Sequence, residues 1–529
     1  MKRFITVTIA MFIVLSLSVS AFALLEFDYY DQPVKVSFMG VDGSAVPYDS
    51  TIHDRRSATE NVYIDGYKEY MNVEVERIVP EDGAALSALV NTGMASGTLP
   101  DFIHVDRNLF FILAENDMLL DLTDAYEECG HKEIMQYIVE SFPDRIASGY
   151  YNGQWLGIPV GQFYADAEVL WVRTDWLDKV GMEVPTTIDE VIETAYAFKE
   201  AGLGGENGVA LGMTGYEGSP IYGDLTSFAA AYGIVLNTWN KDADGKYVYA
   251  DTTDELKEVL LTLQELYSDG IIKSDFAVTN ILTEEISNGA CGMFFGPEWF
   301  GVTCIQTCYN TDPEAEWTCV LIPSKTGERV QQFTKALPAG FLVATKNCEH
   351  PEILFSLAEF GMEMRYQSSP EENARFAVCD DGYQMHNLSV TRAMIRPDEG
   401  YAKLLVLRDG FANNAEEVDA IANSDYQNIK AAMEGDRSHQ GRYLTWMVAR
   451  AGIYDLGNEH PELFRIAYEG PTTETMSLYL SSINAALASS MMEVVMGADI
   501  SVYEEAVAQW YANGGQTITD EVNEYYSNK

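Results

Sequence analysis

The chain has 529 residues, too long for one ordinary hydrophobic core, so two or more domains are expected. Hydrophobic residues make up 47% and aromatics 12%, which excludes a disordered chain. Acidic residues number 81 against 33 basic ones; the formal charge of −48 repels phosphate backbones and anionic membranes and argues against nucleic-acid binding.

At the start of the chain, Lys2 and Arg3 precede an uncharged, largely apolar run from Phe4 to Val19, and Ala21-Phe22-Ala23 has the A-x-A form of a cleavage site. This predicts a signal peptide over 1–23 and a soluble mature chain outside the cytoplasm. An uncleaved anchor is the alternative, because the uncharged run continues to Leu25. No cysteine follows the run to carry a lipid, and no later stretch reads as membrane-spanning.

Val34 to Gly40 reads as a buried strand ending in glycine. A long polar stretch follows to about Asp65, then a helix over 66–71, a strand over 73–78, a helix over 84–94 closed by Gly97, and a strand over 101–105. The rhythm recurs with a strand at 169–173 and a helix opened by a Thr187/Glu190 capping box, whose Ile188, Val191, Ile192, Ala195 and Phe198 form an apolar stripe. Thr252 and Glu255 predict a second capping box. Strands are expected at 292–296, 319–322 and 341–345, then a helix with Pro351 first, and mainly helices thereafter. Alternating strands and helices indicate sheets with helices packed on their faces, an α/β architecture. Seven cysteines, at 129, 291, 304, 308, 319, 348 and 379, are too few and too odd in number for a disulfide scaffold. One bridge among Cys291, Cys304, Cys308 and Cys319 stays open.

Several segments carry a resemblance. Ala95-Ser96-Gly97-Thr98-Leu99-Pro100-Asp101, Asn152-Gly153-Gln154-Trp155-Leu156-Gly157-Ile158-Pro159, Leu170-Trp171-Val172-Arg173-Thr174-Asp175-Trp176-Leu177 with Val184-Pro185-Thr186-Thr187, Gly292-Met293-Phe294-Phe295-Gly296-Pro297-Glu298-Trp299 and the tail Gln509 to Tyr526 follow one another in order. Together they resemble family 1 extracellular solute-binding proteins of ABC importers, particularly the longer, alginate-binding-protein-like members that serve oligosaccharides. The resemblance implies a two-lobed α/β fold of the periplasmic-binding-protein type II, with a hinge and a ligand held between lobes. Lobe 1 would take 24–158 plus about 336–400, and lobe 2 would take 159–335 plus about 401–529. Strand crossings are expected near Gly157 to Gly161, near Leu337 to Gly340 and somewhere from Ser368 to Gly400. The calcium loop frequent in those relatives is replaced by Ala201 to Gly208, which is poor in oxygen ligands, and the Asp242/Asp244 turn has Thr253 where an EF-hand needs glutamate. No metal and no cofactor is expected.

Sugars present apolar C–H faces and a rim of hydroxyls, so aromatic rings and planar polar groups are the candidates for contact. Trp299, Trp155, Trp446 and Trp239 are the ring candidates, each weighed against plain core packing. Glu298, Asp106 and Asp42 are the carboxylate candidates, weighed against solvated loop acids or helix caps. Arg173 is expected to brace Asp175. The implied function is capture of a sugar or oligosaccharide by a monomer that delivers it to ABC permease subunits. A peptide or other nutrient in the same fold, a ligand-presenting role toward a sensor, and a secreted carbohydrate-active enzyme with paired carboxylates are the alternatives.

Overall fold

The computed structural model describes residues 27, 29–42, 56–129, 132–161, 167–216, 223–242, 244–279, 282–328, 333–335, 338–366, 372, 375–376, 385–460, 463–466, 468, 470, 472–473 and 475–527. The signal segment 1–23, Leu25, most of the polar stretch before Asp65, Cys379, Leu337 and residues 368–371 and 377–384 of the third expected crossing lie outside the described residues. The chain divides into two units, Met1–Gly161 with Pro338–Pro397, and Gln162–Leu337 with Asp398–Lys529.

Unit 1 is built on a five-stranded sheet ordered Val73–Ile78, Val34–Met39, Phe102–Val105, Gly340–Ala344, Ile158–Val160. The first three strands are parallel, so their carboxyl ends share one edge; the fourth runs antiparallel to its neighbours. Side chains alternate across the strands, and each face buries its own cluster. Val36, Phe38, Phe102 and Leu342 meet the helix Ile353–Tyr366 on one face, while Met39, Ile103, Val105 and Phe341 meet the helices Gly83–Ser96 and Arg107–Glu115 on the other. The helix Gly83–Ser96 ends where expected, with Gly97 left-handed at φ 71°. The expected helix at Pro351 begins instead at Ile353, after a turn.

Unit 2 has a four-stranded sheet ordered Trp317–Val320, Glu168–Arg173, Cys291–Pro297, Val209–Gly212. The last two are parallel, and Glu168–Arg173 is antiparallel to both of its neighbours. Leu170, Val172, Met293 and Phe295 face one core with the helices Ile188–Glu200, Leu256–Ser268 and Ser481–Val495. Val169, Trp171 and Phe294 face a second core with Trp446 and Tyr426. The Thr187/Glu190 capping box forms in full. The one expected at Thr252/Glu255 does not: Ala250–Thr252 is a 3-10 turn, the Thr252 hydroxyl donates back to the Tyr249 carbonyl, and the helix starts at Leu256 without a side-chain cap. Arg173 holds Asp175 through two hydrogen bonds of 2.6 and 2.9 Å and also reaches Asp312, a structural brace. The strand Phe464–Ile466, in a stretch read as helical, pairs with Phe333–Lys335.

The expectation that no later stretch suits a membrane needs correction, because Met476–Val495 has the length and hydropathy to span one. Half of that window is buried, and Ile483, Leu487, Met491 and Val495 belong to the unit 2 core, so the apolar run is explained by packing. Cys291, Cys304, Cys308, Cys319 and Cys348 are buried free thiols, which closes the question of a bridge among the first four.

Candidate functional site

In unit 2 the parallel strands Val209–Gly212 and Cys291–Pro297 end at one edge, the place where open α/β sheets hold ligands. Glu168 begins its strand there, opposite Pro297. Pro297 ends the strand, and the chain turns into the 3-10 segment Glu298–Val302. The turn sits directly against the helix that carries Trp446. A Cβ on Gly301 would lie 2.7 Å from the Gly441 carbonyl oxygen, so only glycine allows this approach. The Thr445 hydroxyl donates to the Glu298 carbonyl at 3.1 Å and fixes the contact.

That geometry delivers the Glu298 carboxylate, in a residue only 5% exposed, to Arg450, whose Nε and Nη2 donate to Oε1 at 3.3 and 3.2 Å. The Arg450 guanidinium also lies 4.3 Å from the Trp446 ring centroid, and Lys403 Nζ lies 4.9 Å from it. Lys403 and Arg442 both pair with Asp425. Trp299 follows in the same turn. It is half-buried and edge-on to Phe300 at 4.8 Å. Beyond Val320, which pairs with Leu170, the chain leaves the sheet at this same end and lines a cavity of about 470 Å³ with Val169, Leu321, Ile322, Val448 and Gly452.

Glu168 is enclosed behind the rim. It accepts from the Ser227 hydroxyl and from Gly223 N at 3.2 Å. Burial, with Asp224 adding to it, pushes its carboxyl up to about 8, so at neutral pH it is mostly the uncharged acid.

In unit 1 the three parallel strands place Asp42 and Asp106 just past their carboxyl ends. Asp42 accepts from Arg77 Nη2 at 2.7 Å. Asp106 is exposed and caps the helix Arg107–Glu115 by accepting from Leu109 N at 2.8 Å. Two residues before Asp106, on the strand Phe102–Val105, His104 is held neutral, its pKa brought down to about 4 by burial and by Arg392.

The four tryptophans separate by burial. Trp155 is 3% exposed within the unit 1 core, donates its indole N–H to the Gly157 carbonyl at 2.9 Å and stacks on Tyr150. Trp239 is 9% exposed and packs against Tyr249 and Trp510. Both are core residues of their units, and protein neighbours fill their ring faces. Trp446 is 4% exposed, under Arg450. Trp299 alone of the four has substantial accessible surface. Arg450 and Glu168 were not singled out in the sequence. The Arg450 pairing spans 152 positions and leaves no local signal. The Asp242/Asp244 segment is the turn of a hairpin, with Asp242 accepting from Asp244 N and Lys246 N. Among the described residues no group of three or more His, Cys, Asp or Glu side chains is placed to hold a metal.

Comparison with known proteins identifies the family and the fold. The family model described as bacterial extracellular solute-binding protein matches residues 51–360, more than half of the chain. The polygalacturonan/rhamnogalacturonan-binding protein YtcQ of Bacillus subtilis (strain 168) is 28% identical over 212 residues, 39% of this chain and 41% of that protein. The fructooligosaccharide ABC transporter substrate-binding protein FusA of Streptococcus pneumoniae serotype 4 is 26% identical over 202 residues, 35% and 37% of the two chains. The match thus spans about two-fifths of these relatives. The crystal structure of the alginate-binding protein AlgQ2 without calcium ion has the same fold, with a TM-score of 0.60 at 14% identity over 94% of this chain and 99% of that one. The fold is the two-lobed α/β fold of periplasmic binding proteins, and the chain belongs to the family of bacterial extracellular solute-binding proteins.

Proposed function

We propose that the chain is the substrate-binding subunit of an ABC importer for oligosaccharides, and that sugar is held at the strand-end rim carrying Trp299. The observation that carries this reading is the pairing of a half-buried indole with an anchored Glu298–Arg450 pair at the carboxyl ends of parallel strands. The ring covers a sugar's C–H face, and the partly exposed Arg450 guanidinium, held in place by Glu298, serves its hydroxyls. Two relatives named for oligosaccharide or polysaccharide binding support the substrate class. Asp106, with an oxygen exposed beyond its cap, and Asp42 are the proposed hydroxyl acceptors of unit 1. Trp446 acts through Arg450, which it positions.

The ligand is a neutral sugar rather than a uronate. Around the rims Arg450 pairs with Glu298 and Arg77 with Asp42, while Lys403 and Arg442 share the one carboxylate of Asp425, so all four cations are engaged with protein acids. A uronate carboxylate would have to displace one of them and be desolvated beside the remaining acids. The protein binds its sugar without turnover, works as a monomer after cleavage near Ala23 with no lipid-bearing cysteine, and hands its ligand to permease subunits. The test is intrinsic tryptophan fluorescence titrated with neutral fructo-oligosaccharides, oligogalacturonates and short peptides, with product analysis of each sugar. A response to peptides alone would overturn the sugar reading, and cleavage of a sugar would overturn the transport reading.

A further inference from the structure

The C-terminal helices of unit 2 carry a second concavity, of about 790 Å³. Its floor, Trp510, belongs to the core on the opposite face of the sheet from Trp446, so the groove is separate from the strand-end rim. One wall is the π-helical turn Met476–Leu480, a rare conformation that concentrates at functional sites. The other is a kink between the helices Ser501–Trp510 and Gln516–Ser527, with non-helical backbone at Asn513 (φ −96°, ψ 21°) and Gly514 (φ 123°, ψ −20°).

The Gly514-Gly515 pair, prominent in the sequence and unused by the rim, shapes this groove. Gly514 needs its positive φ, and a Cβ there would come within 3.2 Å of Tyr479 Cβ and Cγ. A Cβ on Gly515 would run into the Trp510 ring. The floor is fixed in turn: Trp510 donates to Asn484 Oδ1 at 2.9 Å and stacks on Tyr249 at 5.2 Å.

Over this floor stands Tyr479, 47% exposed. The side chains of Tyr479, Gln509, Asn513 and Thr517 make no hydrogen bond among the described residues, and all four are exposed. A primary amide offers a donor and an acceptor in one plane, which suits adjacent sugar hydroxyls, and an open phenol ring suits the C–H face. None of the twelve lining residues is charged, in a chain where 22% of residues are. An uncharged, amide-rich lining disfavours phosphate, carboxylate or ammonium ligands and fits a neutral polyol.

We propose that this groove is a second, weaker saccharide subsite that takes neutral sugar units away from the strand-end rim. It rests on the reading of the ligand as a sugar. The test is calorimetric titration of the purified chain with kestose, using wild type, Trp299→Ala, Tyr479→Ala and Gln509→Ala. Two classes of site are expected. Trp299→Ala removes the tighter class and keeps the weaker. Tyr479→Ala weakens the weaker class by about tenfold and leaves the tighter within about twofold, with Gln509→Ala acting in the same direction. A single class lost entirely in Trp299→Ala overturns the groove and spares the rim. No kestose binding at all, with binding of a peptide instead, overturns both. Normal binding at both classes in Tyr479→Ala with reduced uptake by cells would make the groove a protein-docking surface and also overturns the proposal.

Discussion

Replacing Arg450 with methionine tests whether the Glu298–Arg450 pair organises the rim. The Glu298 side chain is almost enclosed, and Arg450 reaches its Oε1 at 3.2–3.3 Å. Removing one partner of a buried ion pair costs about 3–5 kcal/mol, because the remaining charge stays desolvated. Here the contacts are long and the Arg450 side chain keeps 23% of its exposure, so water offsets part of the loss and about 2–3 kcal/mol is expected. Urea unfolding of wild type, the Arg450→Met variant, Glu298→Gln and the double variant closes a thermodynamic cycle and measures it. A deficit under about 0.5 kcal/mol would count against the pair as an organiser of the rim.

Gly301→Ala pushes the 3-10 turn off the Gly441 carbonyl and displaces Trp299, so kestose affinity falls by at least about tenfold; unchanged affinity by calorimetry would show that the turn does not set the site. Glu363, on the helix Ile353–Tyr366, is pushed up to about 8 by burial and by Glu359, and Glu359, which accepts from Ile134 N and Met135 N, is itself raised to about 7. The folded state thus holds protons that the unfolded state releases, and wild-type stability declines from about pH 5 to 8. Glu363→Gln flattens that decline and is the more stable protein at pH 8 by on the order of 2 kcal/mol in urea unfolding, whereas a parallel pH profile would count against it. Thr187→Ala removes the capping box of Ile188–Glu200 and lowers stability by about 1 kcal/mol, while no change would mean the cap is redundant.

Much of the framework is legible in the sequence because it rests on local signals. Val73–Ile78 alternates apolar and charged residues, Glu168–Arg173, Cys291–Pro297 and Gly340–Ala344 carry apolar runs of strand length, and Gly97 and Gly181 close helices with left-handed backbone. Thr187/Glu190 and Thr252/Glu255 have the same spacing, yet only the first caps a helix. The second is pre-empted by a 3-10 turn that depends on tertiary neighbours such as Tyr503, whose hydroxyl donates to the Asp251 and Thr253 carbonyls. The short strand Phe464–Ile466 escapes for a similar reason, since it exists only through its partner about 130 positions earlier. At the candidate site Trp155, Trp239, Trp446 and Trp299 are equivalent by residue type. Burial, a property of the fold, distinguishes them. Arg450 and Glu168 carry no local mark at all. One is defined by a distant carboxylate, and the other by the Gly223–Ser227 segment that encloses it.

The most direct test of the central claim is calorimetric titration of wild type and Trp299→Ala with kestose and with trigalacturonate. Wild type is expected to bind kestose saturably and trigalacturonate more weakly, with kestose affinity at the tight site at least about tenfold lower in Trp299→Ala. Kestose affinity unchanged in Trp299→Ala, or trigalacturonate bound more tightly than kestose, would contradict a neutral-sugar site built on the strand-end rim.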